Sequence, residues 1–372
     1  MNFETAFAHY QAHTATAEET ALVERELEKY RLIEDYLAEQ ELPELPEDAA
    51  AAASAETKAV KRRLNRRTRN IVVITAAAVL AVVLLLQLVV SPLLNRRVYR
   101  DELVDGSGYP TFDVGMSALA GLYMPLGDYY GSYAEHSGFM RDTLHLTFFD
   151  RTGSNRFHIQ TQTGLSLGHI GQLNSGDLHA IGYMYSGFFY DNRNPGRNDV
   201  WSGDTGQAAL DALPEYMRLT SAVSFNKVLT VDELADIMAR HPDVDFLSAN
   251  VWVDGAYNYD SLHCSLQHMM LAYGDDLEDY PGMQLQEYKN LTGEDITQHF
   301  RAMVQYLADH PEVAKAGPDE PYRYKEMLLN LEEDGLEVLG LWVQGTPDQI
   351  TALLDEELVR SVNYDARIQL WT

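Results

Sequence analysis

The pattern of apolar and polar positions divides this chain into three unlike parts. The densest apolar run is Ile71 to Val90, IVVITAAAVLAVVLLLQLVV, which carries no charge and only Thr75 and Gln87 as polar side chains. A helix rises about 1.5 Å per residue, so the run matches the roughly 30 Å hydrocarbon core of a bilayer. It predicts one transmembrane helix, because a helix satisfies its own backbone hydrogen bonds while Leu, Val, Ile and Ala face lipid. A buried core helix seldom runs so long without charge. Gln87 falls near one end, within reach of the interface.

On the N-terminal side, Phe3, Phe7 and Tyr10 follow an i, i+4, i+7 pattern and predict a short amphipathic helix. Thr16 with Glu19 three residues on forms a capping-box signature for a second helix. Val23, Leu27, Tyr30, Ile33 and Leu37 lie on one stripe of it. Two short helices bury little surface by themselves, so residues 1–40 read as a unit that needs a partner, either another protein or a second copy. The bland reading of the same pattern is a solvated stalk or coiled coil. Residues 41–55, ELPELPEDAAAAASA, read as a linker, and from about Lys58 a basic helix continues toward the apolar run. His9 and His13 are four apart, but no cysteine occurs within the first 263 residues, and two histidines do not make a structural zinc site.

The C-terminal side alternates less uniformly. Thr143–Phe149 and Arg156–Gln162 read as strands about a turn at 150–154, and Ile181–Tyr190 as a further strand before a long loop over 191–204. Residues 101–218 thus predict a β-rich lobe, poor in long helices. From Leu219 the order is β-α-β over 219–253, an insertion at 255–330 with helices near 294–308 and 322–330, then β-α-β over 336–370. That is the plan of a ferredoxin-like antiparallel sandwich, so residues 219–372 predict an α+β lobe.

Charge sharpens the division. Residues 1–57 carry a net −11, residues 58–100 a net +10 with no acid among them, and residues 101–372 a net −27. Seven Lys and Arg precede the span between 58 and 69, against three Arg after it that acids follow at once. This asymmetry predicts a cytoplasmic N-terminus and an extracytoplasmic C-terminal part in the cell membrane. The run starts too far into the chain, and ends in Ser91-Pro92, to read as a cleaved signal peptide. The basic block suits anionic head groups. The acidic blocks argue against direct nucleic-acid binding, and the first favours a basic protein surface. Cys264 is the single cysteine, which excludes an intrachain disulfide and any cysteine-rich metal site.

Several stretches resemble the sigma factor regulator family, the single-pass membrane anti-sigma factors of Gram-positive bacteria. They are FETAFAHY and AEETALVERELEKY at residues 3–30, the basic run into the span at 58–90, LP at 213–214 with VSF at 223–225 and LTVDEL at 229–234, and GLEVLGLWVQGTP at 335–347. Residues 255–330 fit that pattern poorly. The resemblance implies a membrane-anchored anti-sigma factor that sequesters an extracytoplasmic-function sigma factor and releases it on an outside signal. The client would bind a cytoplasmic site made of Phe3, Phe7, Tyr10, Val23, Leu27, Tyr30, Ile33 and Leu37.

Other chemistry is weakly represented. There is no P-loop, G-x-S-x-G or H-E-x-x-H motif, and neither an enzyme nor a cofactor is expected. Ser224 and Lys227 have the S-x-x-K spacing but sit in a predicted strand, without S-D-N or K-T-G partners. His263, Cys264 and His268 read as packing or surface groups rather than metal ligands. Asp275, Asp276, Glu278 and Asp279 lack the spacing of a calcium loop. The alternative function is a single-pass surface module that binds a cell-wall polymer or peptide through Tyr129, Tyr130, Tyr133, Tyr183 and Tyr185.

Overall fold

The computed structural model describes residues 3–39, 47–99, 111–150, 158–173, 210–254, 262–267, 277–284 and 290–364. The predicted turn at 151–154, the strand at 181–190, the loop at 191–204, His268, Asp275, Asp276, Tyr183 and Tyr185 lie outside them. The chain forms two compact units, Met1–Leu80 and Ala81–Thr372.

In the first unit, α1 (Phe3–Gln11) and α2 (Ala17–Glu39) pack as a hairpin, and α3 (Glu47–Leu85) follows. Helix α3 takes in the alanine run that the prolines before it mark as linker. Ala has the highest helix propensity, and the helix starts immediately after Pro46. Within 57–95 the chain is long and apolar enough to cross a membrane, and the residues of its apolar window are exposed to their surroundings. A π-helical turn, Leu86–Val90, precedes α4 (Ser91–Asn95), with the Ser91 N–H bonded to the Leu86 carbonyl. Pro92 has no N–H to give the carbonyl four residues back, and its ring crowds that carbonyl, so a widened turn just before it relieves both problems.

The second unit is mixed helix and antiparallel sheet. Helix α5 (Thr111–Tyr123) leads into a four-stranded sheet in the order β1 (Gly127–Gly138), β2 (Arg141–Asp150), β3 (His158–Ser166), β4 (His169–Ile170). Alternation puts Leu144, Leu146 and Phe148 of β2 in the core, while Tyr130 and Tyr133 of β1 stay exposed. Helix α5 is not evident in the apolar pattern, because twelve of its thirteen residues are buried and no polar face marks the period.

The second sheet has the order β7-β6-β8-β5-β9, formed by β5 (Leu219–Thr230), β6 (Asp245–Trp252), β7 (His263–Ser265), β8 (Glu337–Gly345) and β9 (Val359–Tyr364), every pair antiparallel. Helix α6 (Val231–Arg240) starts in a full capping box, Thr230 with Glu233, and α10 (Pro347–Leu354) in another, Thr346 with Gln349. Between them come α7 (Gly293–Asp309), α8 (Pro311–Ala314) and α9 (Pro321–Glu333). Helix α7 packs on α5, α6 and α9, so the insertion supplies core rather than decoration. One continuous apolar core includes Phe112, Leu146, Phe225, Phe300, Tyr306 and Val343 and joins both sheets. The open end of α6 is tied to the chain after α10 by a fork: Arg240 donates to both carboxylate oxygens of Glu356, at 2.9 and 2.8 Å, and His241 lies 2.8 Å from one of them. The Arg240 guanidinium holds the Glu356 carboxyl at about 2, well below its usual range.

Candidate functional site

The N-terminal hairpin has a thin core and an open end. Ala6 of α1 and Val23 of α2 are fully buried against each other's helices, and Phe3 stacks on Phe7 with ring centroids 5.7 Å apart. The turn passes through His13 with φ 57°, a left-handed conformation. Thr16 and Glu19 then close a reciprocal cap: Thr16 N–H donates to Glu19 Oε2 at 2.8 Å, and Glu19 N–H donates to Thr16 Oγ1 at 3.4 Å. His9 Nδ1 lies 2.9 Å from the same carboxylate, fastening α1 to the start of α2. The backbone bond from Thr16, with His9 beside it, lowers the Glu19 pKa.

Length decides what remains open. Nine residues of α1 reach about 13 Å, whereas the 23 residues of α2 reach about 34 Å. Helix α1 therefore covers only the first half of the predicted stripe. Val23 faces α1 and not solvent, while Phe3, Phe7 and Tyr10 are half-buried on the covering helix. Beyond this cover Leu27, Tyr30 and Ile33 are exposed at 43%, 66% and 54%, and Leu32 and Tyr36 at 66% and 63%. The Leu37 side chain lies outside the described residues. Leu27, Tyr30, Ile33 and Tyr36 thus form an uncovered i, i+3 row along a single helix, with Glu24, Glu26, Glu28, Glu34 and Asp35 around it. Tyr36 continues the row one i, i+3 step past Ile33, whereas Leu32 is exposed on the opposite side of the helix from Tyr30.

The second unit contains a polar join at the end of the apolar helix. The Gln87 side chain accepts from the Met140 N–H at 2.5 Å and donates to the Gly138 carbonyl at 3.1 Å, bridging the β1–β2 turn as a strand edge would. It also meets His136 Nε2 at 2.5 Å. Asn95, 4% exposed, donates to Asp142 and accepts the Gly168 N–H at 2.8 Å in the β3–β4 turn. Gly168 has φ +83°, and a Cβ there would stand 2.9 Å from the Leu94 carbonyl oxygen, so only glycine fits. Neither amide stands out in the sequence beyond Gln87 being polar in an apolar run.

The remaining chemistry-bearing groups of the lobe are mostly buried, with Lys227 at its surface. Ser224 is buried on β5, and Lys227 pairs with Glu233 at 2.6 Å. His263 and Cys264 are buried on the edge strand β7. Burial holds the His263 imidazole down at about 3 and pushes the Cys264 thiol up. Tyr123 donates to Asp319 at 2.6 Å with Tyr324 Oη 3.3 Å away, and burial raises the pKa of both Tyr123 and Asp319. Among the described residues no group of three or more His, Cys, Asp or Glu gathers as a metal site.

Comparison with known proteins finds no match among curated proteins and none among solved structures. Residues 210–366, which hold the five-stranded sheet and its helices, match the family described as sigma factor regulator C-terminal, a match that supports the sigma factor regulator family.

Proposed function

We propose that the protein is a membrane-anchored anti-sigma factor of non-enzymatic action. In this reading the α1–α2 hairpin lies in the cytoplasm and holds an extracytoplasmic-function sigma factor. The apolar helix is its single membrane span, and the α+β unit on the far side receives the signal that releases the client. The family match supports a sigma factor as the partner. The observation that carries the reading is the uncovered apolar ridge, Leu27, Tyr30, Ile33 and Tyr36, on a hairpin too small to bury it. The acidic border complements the basic surface with which a DNA-binding factor meets nucleic acid, and steers association more than it adds affinity. The basic block at 58–69, on the same side of the span, supports the orientation. Strand order β6-β8-β5-β9, with α6 and α10 as the two crossovers, favours a ferredoxin-like reading of that half of the lobe.

The experiment is transcriptional. Removing residues 1–39 from the full chain should raise expression from a promoter of the client sigma factor to its fully derepressed level, with the truncated protein still in the membrane fraction. Unchanged repression would move the client site elsewhere. Tyr130 and Tyr133, each 57% exposed on β1, favour a second reading of the same lobe as the part that binds a wall polymer or peptide.

A further inference from the structure

The turns at one end of the four-stranded sheet lie beside the last turns of the apolar helix. Arg141 pairs with both Gly138 and Ser166, and Ser166 pairs with His169, so the β1–β2 and β3–β4 turns share one end of the sheet. Gln87 grips the first of these turns and Asn95 the second. Gln87 is three residues inside Val90, the last residue of the apolar run. At 1.5 Å per residue, whatever is bonded to it sits about 4 to 5 Å below the end of that run. The β1–β2 turn is bonded to it and carries Phe139, 54% exposed, at its tip. Leu88, Val89 and Leu93 are exposed on the adjoining helix at 68%, 48% and 60%. Arg96, Arg97 and Arg141 are exposed around this apolar rim, in a chain whose C-terminal part is otherwise strongly acidic.

We propose that the β1–β2 turn is a second membrane contact: Phe139 enters the head-group boundary of the leaflet beside Gln87, and Arg96, Arg97 and Arg141 meet anionic phospholipid there. The inference rests on reading residues 71–90 as a span. Given that span, a turn held by hydrogen bonds at the depth of residue 87 has lipid as its surroundings. An exposed aromatic ring with arginines at its margin is the side-chain set that suits such a boundary. Two amide clamps fix the sheet on its turn end, so the lobe is seated on the bilayer rather than suspended from a loose tether.

The test places an environment-sensitive fluorophore on a Phe139→Cys variant of the full chain in vesicles of phosphatidylcholine and phosphatidylglycerol. Buried Cys264 is the only native cysteine, and labelled wild type reports any reaction there. Matched probes go at Leu80 in the span and at Tyr133 farther up β1. Lipid with a nitroxide near the head group should quench the probe at 139 by roughly twofold or more and leave the probe at 133 unaffected. A Gln87→Leu change should reduce that quenching. An unquenched probe at 139, with the probe at Leu80 quenched by nitroxide deep in the chains, overturns the seated turn and leaves the span intact. An unquenched probe at Leu80 overturns the span and the seated turn together. Quenching at 139 that is unchanged without phosphatidylglycerol overturns the anionic preference.

Discussion

Tyr30→Ala together with Ile33→Ala is expected to weaken sigma-factor capture on the order of 100-fold. Both side chains are more than half exposed, on the part of α2 that α1 does not reach. Apolar and aromatic anchors at the centre of an interface each contribute about 1 to 2 kcal/mol or more, and about 3 kcal/mol together is two decades in affinity. Alanine is the best helix former, and neither site is packed in the free hairpin, so α2 itself should persist. Binding of the purified full chain to its sigma factor, followed by titration calorimetry in detergent, measures the loss, and circular dichroism checks the helix. Neutralising Glu24 and Glu28 should act differently. That change should slow association and flatten its dependence on salt, because border charges steer encounter more than they hold the complex. If the alanine pair binds as wild type and the neutralised pair does not, capture is electrostatic and the ridge is not the site.

The largest effect expected in the α+β unit is acid sensitivity from His263. Its ring is 1% exposed on edge strand β7, Nδ1 has no partner among the described residues, and the ring bonds the backbone of Ala249. Burial depresses the folded pKa from 6.5 to about 3. A group with a depressed folded pKa contributes stability that is present above its unfolded value and is lost as pH falls toward the folded one. The window is therefore pH 6.5 down to about 3. Between pH 7 and pH 4 the loss is on the order of 3 kcal/mol, since each pKa unit is 1.36 kcal/mol. His263→Gln keeps an N–H donor and removes the titration. Urea unfolding of the full chain, followed by near-ultraviolet dichroism, should show wild type and variant converging as the pH falls. Parallel stability curves across that window would contradict the assignment.

The α6 and α10 starts were legible because their signals are local: Thr230 with Glu233 and Thr346 with Gln349 each write a cap within four residues. Strands β2, β5, β6 and β8 were legible from alternation or from apolar runs bounded by turn residues. Helix α5 was hidden for the opposite reason. It is buried on all sides, and the glycines that look like breakers mark close contacts. A Cβ at Gly115 would meet Val313 Cγ1 at 2.3 Å, and one at Gly121 would meet Met303 Sδ at 2.5 Å. Strand β7 is three residues long and exists because β6 offers it an edge, a long-range fact that no short window contains. In the candidate client site the periodicity gives the stripe, and the length of α1 decides which part stays open. Val23 shares the period of Tyr30 and Ile33, yet it ends inside the hairpin. Gln87 and Asn95 act on turns about fifty and seventy residues away, so their roles come only from the fold.

Photocrosslinking from the ridge tests the central claim most directly. A photoreactive amino acid replaces Ile33 in the full chain in native membranes, with a second probe at Leu329, exposed on α9 of the other unit. The account predicts a sigma factor joined to the probe at residue 33 and none at residue 329. A sigma factor captured at 329 and not at 33, or at neither under conditions where the promoter is repressed, would contradict it.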